Sequence, residues 1–389
     1  MTAPLNVVVI GAGTLGLSSA LELATRGAAV TVIEADGIAS GSSGRSIGVV
    51  GTQHVDDFQV LIRTHSLRHL RAWQKRGLVF NAIGYMRLAR TEGDIALLQQ
   101  SLKLQRSHGI ASSHMVDRAD LQKLVPHMSL DGLVGGLIGP EDGFLDPHQL
   151  CTVIAELFRE QGGVLKQACR LESVERRGAG YRLSTSKGVL DCDAVVNAAG
   201  AWAPKVAAMF GQELHVIPQR HEAVTILLEK PLPYVMPMVM DYVPGSPNGT
   251  GLNFRHDRPG QLISEIHTVL SPKAEDPDRY NEQMNEAGKE FLAELLLERL
   301  PTLPGAAFGR GWAGLYPKSF DGKPLVGPID PSQPRLVTAA GAGGYGIQLG
   351  PVIGQLAADW VLDGRPSSIP EAICLAPTPD RNRPLASAA

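Results

Sequence analysis

Gly11, Gly13 and Gly16 sit at the spacing of a dinucleotide fingerprint, and Glu34 follows Gly16 by eighteen residues. In Gly11-Ala12-Gly13-Thr14-Leu15-Gly16 each glycine has its own task. The first makes a tight turn, the second lets backbone approach a pyrophosphate, and the third allows a helix to lie close on a strand. The acid can accept hydrogen bonds from ribose hydroxyls, which favours an unphosphorylated ribose, as in FAD or NAD, over NADP. Directly after Glu34 and Ala35 comes a run of small and hydroxylated residues that includes Ser42, Ser43, Arg45, Ser46, Ile47, Gly48 and Val49. Its N–H and O–H groups could line a phosphate and a flat ring. A third glycine-rich run, Gly341-Ala342-Gly343-Gly344-Tyr345-Gly346, lies more than 300 residues away.

These residues need strands and helices to hold them. Val7, Val8, Val9 and Ile10 read as a buried strand leading into the first glycine turn. Leu17, Leu21 and Ala24 mark the apolar side of the helix that follows, and residues 29–33 a second strand. Further helices are expected over 58–76, 92–108, 281–300 and 350–362, and another after Asp146-Pro147, where Asp146 is the N-cap and Pro147 the first helical residue. Strands are expected over 83–89, 169–176, 181–185, 193–198 and 335–339. Alternating patterns over 219–228, 237–241, 252–255 and 261–267 read as a second, antiparallel sheet. The fold class is therefore α/β, α+β overall: a Rossmann-like dinucleotide domain with a discontinuous antiparallel-sheet substrate domain. The boundaries are 1–80, 145–210 and 321–370 for the former, 81–144 and 211–320 for the latter, with 371–389 a loosely ordered tail.

The chain has 389 residues, and its 39 acidic against 36 basic side chains give a net charge of −3, so nothing marks a nucleic-acid or membrane surface. Cys151, Cys169, Cys192 and Cys374 are widely separated, which suits a reducing compartment and argues against a disulfide framework or zinc site. His65 and His69 are one helical turn apart but lack a third ligand nearby, so they read as a solvated helix face and no metal is expected. The N-terminal apolar run is broken by three glycines and preceded by no basic region. It reads as the first strand and not as a leader or membrane span, and a cytoplasmic protein is expected.

Four separated stretches share one pattern: the fingerprint with its serine loop, Gly143-Phe-Leu-Asp-Pro147, Val195-Val-Asn-Ala-Ala-Gly-Ala-Trp202, and Trp312-Ala-Gly-Leu-Tyr-Pro-Lys-Ser-Phe-Asp-Gly-Lys-Pro-Leu-Val-Gly327 running into the last glycines. Together they resemble the D-amino-acid-oxidase-like FAD flavoproteins, in the branch of glycine oxidase, sarcosine oxidase and the β subunits of sarcosine oxidase or hydroxyproline dehydrogenase. The resemblance implies FAD. By position it implies adenosine and pyrophosphate contacts at Gly11 to Gly16, Glu34 and Ala35, with Val174 on the adenine side. Ser42, Ser43, Arg45, Ser46, Ile47, Gly48 and Val49 would approach the ribityl and ring portions, Ala199, Gly200 and Trp202 would pack beside the cofactor, and Gly343, Gly344, Tyr345, Gly346, Ile347 and Gln348 would lie along the ring edge. His54, six residues beyond Gly48, is a candidate for covalent attachment, with a plain loop histidine as the alternative.

The resemblance implies oxidation of a C–N bond in a small amino or imino acid (sarcosine, an N-methyl amino acid, proline or hydroxyproline, or a D-amino acid). Hydride would pass to flavin N5, giving an imine that hydrolyses, with oxygen or a partner protein as electron acceptor. Such a substrate needs a cation for its carboxylate. Arg87, Arg255 and Lys318 are the candidates, Lys318 being expected with Tyr316 in a Leu315-Tyr-Pro-Lys318 turn. Tyr316 is at the position where relatives place a carboxylate-binding residue, and His221 and His267 are available to orient or deprotonate an amine. A β-type subunit passing electrons to a partner, and a flavin-binding assembly factor without turnover, are the alternatives. Homo- and hetero-oligomers are both compatible with the sequence.

Overall fold

The computed structural model describes residues 3–267, 273–303 and 305–384. A six-stranded sheet has the order Leu325–Pro328, Leu336–Ala340, Ala194–Asn197, Asn6–Ile10, Ala29–Ile33, Val164–Lys166. Its pairings are parallel except at the Leu325–Pro328 edge. Helices cover it, so the middles of its central strands are apolar on both faces: Val7, Val9, Val195 and Val196 are fully buried. The first helix, Thr14–Thr25, and the last, Gly346–Asp363, cross at very short range. A Cβ at Gly350 would lie 2.2 Å from Thr14 Cγ2, and one at Gly354 2.4 Å from the Ser18 carbonyl carbon. The two glycines thus allow two helix N-termini to be brought to the same end of the sheet.

The second sheet has eight strands in the order Ala307–Lys318, Ile217–Leu227, Gln261–Ile266, Leu252–Arg258, Met238–Met240, Tyr85–Ala89, Gly135–Gly139, His114–Val116. It is antiparallel except between Met238–Met240 and Tyr85–Ala89. Leu292 and Leu296 of helix Glu286–Arg299 pack with Phe254 and Val224 in its core. A small sheet of Val49–Val50, Gly143–Leu145 and Phe80–Asn81 fastens the serine loop to the rest. Asp146 caps helix Pro147–Glu160 by accepting the Gln149 N–H at 2.9 Å, with proline at the helix start, as the sequence leads one to expect.

Several local expectations are corrected. Tyr316 and Lys318 lie on the twelve-residue strand Ala307–Lys318 and not in a turn, because that strand pairs along its length with Ile217–Leu227 and outweighs the glycines within it. The last helix begins at Gly346, four residues before the expected start, and tolerates Pro351 in its second turn. The expected strands 83–89 and 335–339 run Tyr85–Ala89 and Leu336–Ala340. The expected helix over 281–300 spans only Glu286–Arg299, opened by the Asn285 cap. The tail is not loose as far as it is described: Ala372 and Leu375 are buried, and the Arg381 guanidinium bonds both carboxylate oxygens of Asp321 at 2.8 and 3.0 Å. Its residues 385–389 lie outside the described residues.

Candidate active site

A cavity of about 580 Å³ runs along the end of the six-stranded sheet. The turn after the first strand opens it: Gly11 has φ +108°, and a Cβ there would lie 2.6 Å from the Ala198 carbonyl oxygen. Gly13, Thr14, Leu15, Glu34 and Ala35 line one part, Ser42, Ser43, Arg45 and Ser46 the next, Ala199, Gly200 and Trp202 the opposite wall, and Gly343, Gly344, Gly346 and Ile347 the far end. The Thr14 N–H and hydroxyl meet Ser43 Oγ at 3.1 and 3.2 Å, which ties the serine loop to the first helix. Glu34 accepts the Ala12 N–H at 2.8 Å and the Asp36 N–H at 3.0 Å, which fixes its carboxylate at the strand end. Gly16 and Ala12 lie behind the lining; Gly16 packs so tightly that a Cβ would be 2.0 Å from the Gly11 carbonyl oxygen.

A second cavity, about 60 Å³, adjoins the first and shares Ser46, Glu265, Tyr316 and Gly344 with it. Ile47, Val49, Tyr345, Gln348, His267 and Arg87 line it, together with Arg63, Tyr85 and Tyr242. Arg87 donates to the Tyr242 carbonyl at 2.7 Å, and its guanidinium lies 5.0 Å from the Tyr85 ring centre. Arg63 stands 4.6 Å over the Tyr345 ring, and the Tyr345 hydroxyl is 3.5 Å from His267 Nε2. Both arginines are buried, neither has an ion pair among the described residues, and the Nε of each lacks any hydrogen-bond partner. An uncompensated buried guanidinium costs several kcal/mol. The buried Asp142 carboxylate favours the charged form of Arg63 without forming an ion pair with it, and an anion in the small cavity would offset more of this cost.

His221 lines the large cavity with its ring stacked 3.7 Å from that of Tyr316. Burial, reinforced by neighbouring positive groups, holds the imidazoles of His221 and His267 down to about 3 and about 4; burial does the same to His54, to about 3. All three are neutral at neutral pH. The unfolded chain takes up their protons near 6.5 while the folded chain does not. Their contribution is complete above that pH and is lost as pH falls towards 3. The urea midpoint is expected to fall between pH 7 and 5, and His54→Gln to flatten that slope; an unchanged slope would sink the assignment.

The structure does not bring every candidate together. Arg255 reaches neither cavity: its guanidinium is 3.1 Å from Asp257, donates to the Ile47 carbonyl at 2.7 Å and lies over the Phe144 ring. Its place is behind the loop that carries Ile47. Lys318 lines neither cavity, and partial burial lowers its pKa. His54 also lies off both cavities, its Nδ1 accepting the Asp56 N–H at 3.1 Å. Val174 is away from the lining, where Cys169, Arg170 and Leu171 stand instead. Gly48, with φ +72° and a Cβ position 2.0 Å from the Leu145 carbonyl oxygen, shapes the loop from outside.

Arg63 and Glu265 are missing from the sequence-derived set, yet each has a signal. Arg63 falls in phase with Gln59 and Leu67 on the buried side of its helix, and Glu265 in phase with Ile263 on its strand. Among the described residues no group of three or more His, Cys, Asp or Glu could hold a metal ion, and no helix is long and apolar enough to cross a membrane.

The parallel sheet, the glycine turn at a helix N-terminus and the cavity across the strand ends define a dinucleotide-binding protein of Rossmann type. The chain belongs to the family described as FAD dependent oxidoreductase, whose model matches residues 6–360. It is 27% identical to human mitochondrial dimethylglycine dehydrogenase over 379 residues, covering 93% of this chain but only 43% of that protein. It is 25% identical to glycine oxidase of Geobacillus kaustophilus over 375 residues, covering 93% and 94% of the two chains. The crystal structure of L-proline dehydrogenase from P. horikoshii superposes with a TM-score of 0.85 at 25% identity, over 97% of this chain and 98% of that one.

The residues present fit FAD. The N-termini of the first and last helices, 12 and 18 residues long, both reach the large cavity, and neither carries a side-chain cap. Their N–H groups and dipoles are left for a phosphate at one end and for developing negative charge at the other. Ser42 Oγ, in the cavity wall, is buried without a partner, as expected of a group meant for a ligand.

Proposed function

We propose that this chain oxidises the carbon–nitrogen bond of a small amino or imino acid whose carboxylate is held by Arg63 and Arg87. The observation that carries this reading is the pair of buried, unpaired guanidiniums facing a small cavity that opens on the dinucleotide cavity. Bound FAD supplies the two-electron acceptor for a hydride from the carbon next to nitrogen. Gly11, Gly13, Thr14, Leu15 and Glu34 would hold its adenosine and pyrophosphate side, the 42–46 loop its middle, and Gly343 to Ile347 the side nearest the small cavity.

The chain's own part is then positioning and exclusion of water. Two arginines fix the carboxylate end, and Tyr85, Tyr242 and Tyr345 wall the small cavity with aromatic faces. A cavity of about 60 Å³ favours compact substrates, such as a glycine derivative or a proline-type ring. The names of the similar proteins, L-proline dehydrogenase, glycine oxidase and dimethylglycine dehydrogenase, support this class. In this reading, segments 1–80, 145–210 and 321–370 form the FAD domain, and 81–144 and 211–320 the substrate domain.

Anaerobic titration of the purified yellow protein tests the proposal. Sarcosine, dimethylglycine, glycine, L-proline, hydroxyproline and D-amino acids are added in turn while the flavin absorption is followed. At least one is expected to bleach it, and readmitted oxygen then separates a peroxide-forming oxidase from a chain that needs another acceptor. Flavin that no member of the panel bleaches would sink the proposal and favour a non-catalytic flavin carrier.

A further inference from the structure

The wall between the two cavities contains one carboxylate, Glu265. It is 8% exposed, on strand Gln261–Ile266 and in phase with Ile263. Asn253 Nδ2 donates to its Oε1 at 3.1 Å, and the Tyr316 hydroxyl meets the same oxygen at 3.5 Å. Both partners are neutral, and no described cation forms an ion pair with it. The Arg255 guanidinium is near enough to favour its charged form but is committed to Asp257 and the Ile47 carbonyl.

The small cavity is therefore bipolar, with two unpaired cations, Arg63 and Arg87, and one unpaired carboxylate at its mouth. A buried carboxylate in this setting demands a cation or a proton. Burial is the main influence on both, pushing Glu265 up to about 7 and His267 down to about 4, and Arg87, Lys318 and Arg63 add to the second effect. A proton arriving in the wall is therefore better placed on Glu265 than on His267. His221 is held down in the same way, by His267 and Lys318 after burial.

We propose that Glu265 is the residue that receives the cationic nitrogen of the substrate, pairing with the ammonium of an α-amino or imino acid and accepting its proton. In that step an N–H bond breaks with its electron pair remaining on nitrogen, and an O–H bond forms on Glu265. The amine is left neutral, the form from which hydride can leave. Nothing is oxidised or reduced. The inference rests on the proposed carboxylate clamp and adds to it the selection of a zwitterion over a simple carboxylic acid.

Two ligands of one shape test this on the holoprotein: 2-aminoisobutyrate, and pivalate, which has a methyl group in place of the ammonium. Neither has a hydrogen on the carbon next to the carboxylate, so neither reduces the flavin, and the shift of its visible absorption reports Kd. The wild type is expected to bind 2-aminoisobutyrate about tenfold or more tighter than pivalate, the effect of one charge-assisted pair. Glu265→Gln should bring the two constants together with pivalate unchanged, and Glu265→Asp should restore part of the preference. A wild type without the preference, which requires no variant to fold, would overturn the inference, as would a preference that survives in Glu265→Gln. In both cases pivalate still binds and the clamp stands. If neither ligand shifts the spectrum of the wild type, the clamp and the inference fall together.

Discussion

Replacing Arg87 with methionine is expected to lower kcat/KM for the amino-acid substrate on the order of 10²- to 10³-fold, from the few kcal/mol lost when one partner of a desolvated charge pair is removed. Most of the loss should appear in KM, because the carboxylate is bound equally in the ground and transition states. The flavin spectrum should be unchanged, since Arg87 lines only the small cavity. Stability should hold or rise, because the substitution removes a buried charge that has no ion-pair partner among the described residues. Arg87→Lys should recover only part of the activity, for an ammonium cannot reproduce the fork that reaches both the Tyr242 carbonyl and a carboxylate. Steady-state kinetics with the substrate identified by titration decide the matter. A methionine variant within about threefold of the wild type, well below the loss expected for such a pair, would remove Arg87 from the clamp.

Gly16→Val is expected to purify colourless, with FAD affinity reduced on the order of 10²-fold, the effect of a few kcal/mol of overpacking placed against backbone. The valine Cβ alone would lie 2.0 Å from the Gly11 carbonyl oxygen and 3.3 Å from the Ala198 side chain. Neither neighbour can yield without moving the glycine turn, so the helix must shift and its first N–H groups lose their aim. Gly93→Ala is the control, because a Cβ there meets only Thr91 Oγ1 at 3.6 Å; it should keep its flavin. Isothermal titration of apoprotein with FAD reads both variants, and an unchanged Kd for Gly16→Val would contradict the close-packing role given to Gly16.

The dinucleotide end of the site was legible because it is nearly contiguous. Strand, turn, helix, second strand and acid occupy residues 6–34, and each step is forced by local chemistry: β-branched residues in a buried strand, glycines where the backbone must turn or touch, and a carboxylate at a strand end. The Asp146 cap was legible for the same reason. The strand Ala307–Lys318 was not, since its pairing with Ile217–Leu227 spans some ninety residues and overrides the local turn signals of Gly309, Gly311, Gly314 and Pro317. The tail misled in the opposite direction: its polar and proline-rich composition concealed Ala372 and Leu375, which find a core supplied by the distant sheet edge.

The substrate end shows where sequence stops. Arg87 and Arg255 look alike, each an arginine directly after an apolar residue of a strand, Met86 and Phe254, and each is buried. Only packing sends one to the small cavity and the other to Asp257 and the back of the 46–49 loop. Strand Tyr85–Ala89 is buried on both faces, so alternation carries no information about which way Arg87 points. Arg63, Glu265 and Tyr345 come from a helix, a strand and a glycine turn far apart in the chain, and their meeting depends on how the eight-stranded sheet sits over the end of the six-stranded one. The sequence by itself determined the dinucleotide turn and the strands and helix that carry it, because those rest on short-range backbone geometry. The tertiary structure decided which charges remain unpaired, because a charge is committed or free only according to what long-range packing sets beside it.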